Sequence, residues 1–136
     1  MNKLFLVDDD EDDHFFFKEA MVLIDPVLNL DTATNGKIAL DKLKTSLCLP
    51  DIIFLDLNMP VMNGFDFLIH IKKEKQLNKI PVGILTTSNV VADQELTKEL
   101  GARFFLTKPN HIQALGKKLK QILSADFSTE EYISIT

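Results

Sequence analysis

The sequence predicts an α/β protein built on a parallel sheet, and three observations carry that prediction. Short apolar runs alternate with stretches of helical periodicity five times along the 136 residues. One run, Ile52-Ile53-Phe54-Leu55, is apolar at every position, the pattern of a strand covered on both faces. The segments between runs are long enough for helical crossovers, which parallel strands require. A chain of this length suits one domain with a substantial core.

Taken in order, residues 4–7 form a first strand that stops at Asp8. An acidic run, Asp8-Asp9-Asp10-Glu11-Asp12-Asp13, follows it. Phe16, Phe17, Ala20, Leu23 and Ile24 then recur at helical spacing as far as Pro26. Asp10 to Asp13 open this helix, where carboxylates cap free N–H groups and complement the positive end of the dipole. Phe15, Phe16 and Phe17 cannot all face one core, because successive helical residues are about 100° apart. Phe16 and Phe17 take the core and leave Phe15 near the surface beside Val22. A second strand spans 27–34 and leaves through Asn35-Gly36. Ala39, Leu40, Leu43 and Leu47 line a second helix, stopped before Pro50.

The central strand ends in Asp56 and a loop closed by Pro60 and Gly64. Gly64, Phe67, Leu68 and Ile71 mark a third helix, with Lys72-Lys73-Glu74-Lys75 as its solvated end. Residues 82–85 form a fourth strand, in which Gly83 signals a close backbone approach. Val91, Leu96 and Leu100 give a fourth helix with Gly101 at its C-terminal cap. Residues 104–107 are the fifth strand, closed by Lys108-Pro109. Ile112, Leu115, Leu119, Ile122 and Leu123 line the fifth helix. The domain therefore runs over residues 1–124, and 125–136 form a tail. Tyr132-Ile133-Ser134-Ile135 alternates like a strand, which suits pairing with a sheet edge or docking on a partner, but a partly ordered terminus is the expectation for it.

Composition narrows the function. A net charge of −5 without a Lys/Arg cluster argues against nucleic acid as a partner. The single cysteine, Cys48, excludes an intramolecular disulfide and a cysteine zinc site, and its neighbours Leu47 and Leu49 predict a small, buried or half-buried apolar role. His14, His70 and His111 lack ligand spacing and are expected at the surface. The four apolar residues before the acidic run are too few for a signal peptide or a membrane span, so a cytoplasmic address is expected.

In open α/β sheets the chemistry lies beyond the carboxyl ends of the strands. Here those ends deliver Asp8 and Asp9, Asp56, Thr86 and Lys108 to one edge. Three carboxylates side by side repel, and a hard divalent cation removes the conflict. Magnesium with an amine and a hydroxyl opposite suits a site that receives a phosphoryl group, with Asp56 as nucleophile.

These residues are similar to those of the receiver domain of two-component response regulators, the family of the bacterial chemotaxis regulator. Leu6-Val7-Asp8-Asp9, Asp56-Leu57-Asn58-Met59-Pro60 with Gly64, Leu85-Thr86 and Thr107-Lys108-Pro109 carry the resemblance, which covers roughly residues 3–124. It implies a flavodoxin-like, doubly wound five-stranded sheet of order 2-1-3-4-5, which the chemotaxis regulator itself exemplifies. It makes Asp56 the phosphoacceptor, Asp9 a direct ligand of Mg2+ (with Mn2+ as a substitute) and Asp8 a ligand acting mainly through water. Asn58 offers its backbone carbonyl to the metal, and Thr86 and Lys108 contact phosphoryl oxygens. The neighbouring Thr87 leaves a register ambiguity that the spacing from Pro81 settles in favour of Thr86.

The resemblance also implies a cis Lys108–Pro109 peptide and an aromatic switch at Phe105, acting with Thr86. Phe105 lacks a hydroxyl, so its inward turn rests on packing. Phe15 becomes a candidate anchor for the kinase, because the first helix is a docking face in the family. The implied activity is signalling rather than enzymatic turnover. A sensor histidine kinase or phosphotransfer protein donates the phosphoryl group. Output passes through protein contact, including homodimerisation through the face of the fourth helix, fifth strand and fifth helix. A tail this short leaves no room for a DNA-binding or catalytic output domain. Asn58 and Ser88, neither acid nor base, imply at most slow self-dephosphorylation. The competing reading is a small magnesium-dependent phosphatase of the haloacid-dehalogenase type, although such enzymes carry a second aspartate where this chain has Asn58.

Overall fold

β3 (Ile52–Leu55) is the centre of the molecule, with all four residues buried. In the computed structural model, which describes residues 1–135, β1 (Lys3–Val7) and β4 (Val82–Thr86) flank it. β2 (Asn29–Ala33) and β5 (Phe105–Thr107) form the edges of a parallel sheet of order β2-β1-β3-β4-β5. Alternate residues of each strand enter two separate cores. Leu4, Leu6, Ile52 and Phe54 pack beneath α1 (Glu11–Ile24) and α5 (Ile112–Leu123). Phe5, Val7, Ile53 and Leu55 pack beneath α2 (Gly36–Thr45) and α3 (Gly64–Lys73). This two-sided burial is why the central strand has no polar position. The register pairs Val7 with both Ala33 and Leu55, Leu55 with Ile84, and Thr86 with Thr107. Residues 8, 56, 86 and 108 therefore leave the sheet at one edge.

Gly83 behaves as its place in a strand predicts. A Cβ there would lie 1.9 Å from the ring of Phe104, which occupies the space above the glycine. Gly101, just past the cap of α4 (Val91–Glu99), has φ +101°, a conformation that glycine adopts without steric cost.

Several local expectations need correction. In α1 the buried residues are Phe17, Ala20 and Met21, while Phe16 and Ile24 are half-buried and Leu23 is exposed. The i, i+3, i+4, i+7 set from Phe17 faces the sheet, and Leu23 falls off that face. β2 begins at Asn29 because the Asp25 side chain accepts from Val27 N in a turn that leaves Val27 exposed. α2 ends at Thr45. Beyond it Ser46 Oγ donates to Cys48 O (2.8 Å), so Leu47 and Cys48 project into solvent rather than into the core. In α4 Val91 and Leu96 are exposed and only Thr97 is buried, its hydroxyl donating to Asp93 O. Lys72 is half-buried rather than solvated, its stem lying against Gly101, and burial holds its ammonium below the ordinary range.

The tail is docked. Arg103, which is buried, donates from its guanidinium to Glu131 O (3.1 Å) and Thr129 O, and Ile133 N donates to Arg103 O (2.7 Å). The Arg103 guanidinium lies over Phe127, and the Lys98 ammonium sits 4.8 Å from the centre of the Tyr132 ring. Phe127, Ile133 and Ile135 pack against the core beneath α1 and α5. The alternation at 132–135 therefore marks a segment seated on its own domain. Thr136, the last residue of the predicted tail, lies outside the described residues.

Candidate functional site

The loop after β3 is shaped by close contacts. Asp56 N donates to Val7 O (2.9 Å), which ties the strand end to β1, and Asp56 Oδ1 accepts from Leu57 N (2.9 Å). A side chain at Gly64 would meet Asp56 O at 2.2 Å, so only glycine lets α3 begin directly against the strand end. Gly64 N donates to Leu57 O (3.0 Å), and Asn63 caps α3 by accepting from Asp66 N. Val61, at φ 67°, turns the loop in a conformation unusual for a β-branched residue.

The carboxylate oxygens of Asp8, Asp9 and Asp56 converge to within 4.8 Å of one another. Asp8 has no exposed surface, Asp56 is nearly buried, and Asp9 is open to solvent. Asp8 Oδ1 accepts from Asp10 N (3.0 Å). Its Oδ2 faces Lys108 Nζ at 2.8 Å as an ion pair but has no well-oriented hydrogen bond. Burial pushes the Asp8 carboxyl up to about 6, against the pull of Lys108. Lys108 Nζ also lies 2.7 Å from Asp13 Oδ2 and 3.7 Å from Asp56 Oδ2. Burial would lower its pKa, but the hydrogen bond to Asp13 and the ion pair with Asp8 outweigh burial and raise it. His14 is half-buried, with Nε2 2.6 Å from Asp8 O, so it is a support of the strand end rather than a free surface residue.

This donor set fits a hard divalent cation. It offers clustered carboxylate oxygens, one of them buried without a hydrogen bond, and an open approach on the side of Asp9. The crevice outside the carboxylates is lined by Asp9, Asp13, Asp56, Asn58, Thr87 and Lys108. Thr86 ends β4 fully buried, with Lys108 N donating to its carbonyl (2.7 Å), and it is Thr87 that is exposed at the rim. The β4–α4 connection is held by Ser88 Oγ donating to Asp93 Oδ2 and by Thr107 Oγ1 donating to Ser88 O. Phe105 is half-buried against the core beneath α2 and α3. Phe15 stands 67% exposed on α1, with Val22 exposed on the same helix.

Two expectations change here. The described residues contain no cis peptide, so Lys108–Pro109 is trans. Trans is the intrinsically favoured isomer, by roughly 0.5–1 kcal/mol, and it already lets the Lys108 ammonium reach Asp8 and Asp13. Asp13, assigned only a role at the helix start, is a direct partner of Lys108. Its signal was its place one turn inside a helix whose cap, Asp10, follows the strand end. No pattern, however, links it to a lysine near the far end of the chain.

Known proteins are similar to this chain in sequence and in fold. The response regulator receiver domain family matches residues 4–120. The transcriptional regulatory protein CpxR of Escherichia coli K12 is 35% identical over 131 residues, covering 96% of this chain and 53% of CpxR. The chain thus spans about half the length of the curated relatives it matches. The phosphorylated cyanobacterial phytochrome response regulator RcpA superposes with a TM-score of 0.83 at 30% identity, over 94% of this chain and 99% of RcpA. The Mn2+-bound form of response regulator Rcp1 gives a TM-score of 0.78 at 29% identity, covering 100% of this chain and 99% of Rcp1.

Proposed function

Because the chain belongs to the response regulator receiver family, a family of phosphoacceptor signalling domains, we propose that Asp56 is its phosphoacceptor. One observation supports this reading above the rest. Asp56 lies at a buried strand end with carboxylate oxygens of Asp8 and Asp9 within 4.8 Å and the Lys108 ammonium 3.7 Å away. In the proposed reaction a carboxylate oxygen of Asp56 attacks the phosphorus of a phosphohistidine on a sensor kinase or phosphotransfer protein. The new O–P bond forms as the P–N bond breaks, and the leaving imidazole keeps the electron pair and takes up a proton. Asp8, Asp9 and Asp56, with the backbone carbonyl of Asn58, would hold Mg2+ or Mn2+, which supplies charge neutralisation for the transferring oxygens. Lys108 and the Thr86 hydroxyl bind phosphoryl oxygens.

Thr86 and Phe105 then reposition and change the surface of α4, β5 and α5, a local charge change read by a two-state element. That surface contacts an output protein or a second copy of the chain. Phe15 anchors the phosphodonor on α1. With Asn58 and Ser88 near the acceptor, self-dephosphorylation is slow and the domain does not turn over a substrate. A kinase donor places this work in the cytoplasm. Among the described residues no helix is long and apolar enough to cross a membrane. The phosphatase reading has lost its support, because the family match and the sheet order are those of receivers and position 58 carries an amide.

The test is incubation of the full chain with Mg2+ and acetyl phosphate, followed by intact mass. Wild type gains one phosphoryl adduct and Asp56→Asn gains none. An equal adduct on Asp56→Asn, or none on wild type, would overturn the assignment.

A further inference from the structure

Lys108 is held closer by Asp13 than by the acceptor it serves. Its Nζ is 2.7 Å from Asp13 Oδ2 and 2.8 Å from Asp8 Oδ2, but 3.7 Å from Asp56 Oδ2. The two nearer partners differ in kind. Asp8 belongs to the convergent carboxylates, so a cation bound there draws on its charge; Asp13 stands outside that group and keeps its full charge for the lysine. The Asp13 contact is charge-assisted, short and one-third exposed, strong enough to hold the ammonium yet open enough to exchange. There is also room for exchange. Asp13, Lys108 and Asp56 all line the one open crevice beyond the strand ends, so the ammonium can pass from one carboxylate toward the other within it. A lysine ammonium is a point charge on a flexible stem and changes anions readily.

We propose that Asp13 is a positioning residue that holds Lys108 away from Asp56 and must release it before the lysine can bind the phosphoryl group. Asp13 thereby sets how readily the acceptor is charged. The inference rests on the phosphoacceptor reading above. It also explains why an extra acid is placed near a site that already carries three.

The experiment follows adduct formation over time, with Mg2+ and acetyl phosphate, on the full-length wild type, Asp13→Asn, Asp13→Glu and Asp12→Asn. Asp12→Asn removes the same charge one residue away from the Lys108 contact. Asp13→Asn labels faster than wild type by about threefold to fivefold, the upper part of the range expected for loss of one partly exposed ion pair. Asp13→Glu, which keeps the charge, returns toward wild type, and Asp12→Asn stays within about twofold. Side-chain nitrogen NMR of Lys108 supplies a readout independent of labelling, because its ammonium resonance shifts in Asp13→Asn and not in Asp12→Asn. Labelling of Asp13→Asn at or below the wild-type rate overturns the proposal, as does an equal gain in Asp12→Asn or an unmoved Lys108 resonance. Adduct on wild type with Asp13→Asn unchanged defeats this inference alone. No adduct on wild type defeats the phosphoacceptor reading and this inference with it.

Discussion

Asp8 has no exposed surface, and its Oδ2 faces the Lys108 ammonium without a well-oriented hydrogen bond. Its carboxyl is raised from 3.8 to about 6, chiefly by burial. Between those values the folded state keeps a proton that the unfolded chain has lost, so this group lowers stability as pH rises through that window. The displacement corresponds to about 3 kcal/mol. Metal-free protein is therefore expected to lose stability from about pH 4 to about pH 6 through this group. Magnesium restores it above that window, because proton and metal compete for one carboxylate. Urea unfolding with and without Mg2+ at about pH 5 and about pH 7.5 checks this. A magnesium gain as large at the lower pH would contradict it. At this scale the site was largely readable, because Asp8, Asp9, Asp56 and Lys108 each follow an apolar run, and a charge ending such a run needs a reason. Asp13 and Cys48 were not readable. The role of Asp13 depends on a contact across 95 positions, and the exposure of Cys48 depends on where α2 stops.

Among the elements, β4 leaves no room for a side chain at its glycine. Phe104 occupies the volume above Gly83, and its ring also packs edge-on against Phe54, which packs against Phe17. Gly83→Ala is expected to destabilise the fold by about 2–3 kcal/mol or more, because neither backbone nor ring can yield freely. Adding Phe104→Leu should recover part of that loss. Paired urea melts of the single and double variants measure it, and strictly additive losses would show that the two side chains do not compete for one space. The elements themselves were legible wherever one face is fully buried. In α3 and α5 the predicted apolar positions are those that face the sheet. Two of the misses lie at half-covered elements. α4 buries only Thr97, so its apolar residues carry no facing information. β2 sits at a sheet edge, and its start is set by the turn at Asp25 rather than by hydrophobicity.

For the whole molecule, strand alternation gave the fold class, while the order 2-1-3-4-5 came from resemblance and agrees with the observed pairing. The alternation at 132–135 hinted at docking of the tail, but where it docks was beyond pattern reading. Its warrant is Arg103, a buried cation whose partners are main-chain carbonyls of Thr129 and Glu131. The tail touches α4 through Lys98, whose ammonium lies over the Tyr132 ring. Arg103→Ala removes two donors, and a loss of about 1–3 kcal/mol is expected, with release of the tail. The chain holds no tryptophan and a single tyrosine, Tyr132, which rests over the Lys98 ammonium. Ultraviolet emission from the tyrosine is therefore a label-free signal of one segment alone. Its quenching by acrylamide should rise in Arg103→Ala. If quenching is unchanged, the tail is held by its apolar contacts. The protein thus carries its own optical gauge of whether the strap is fastened.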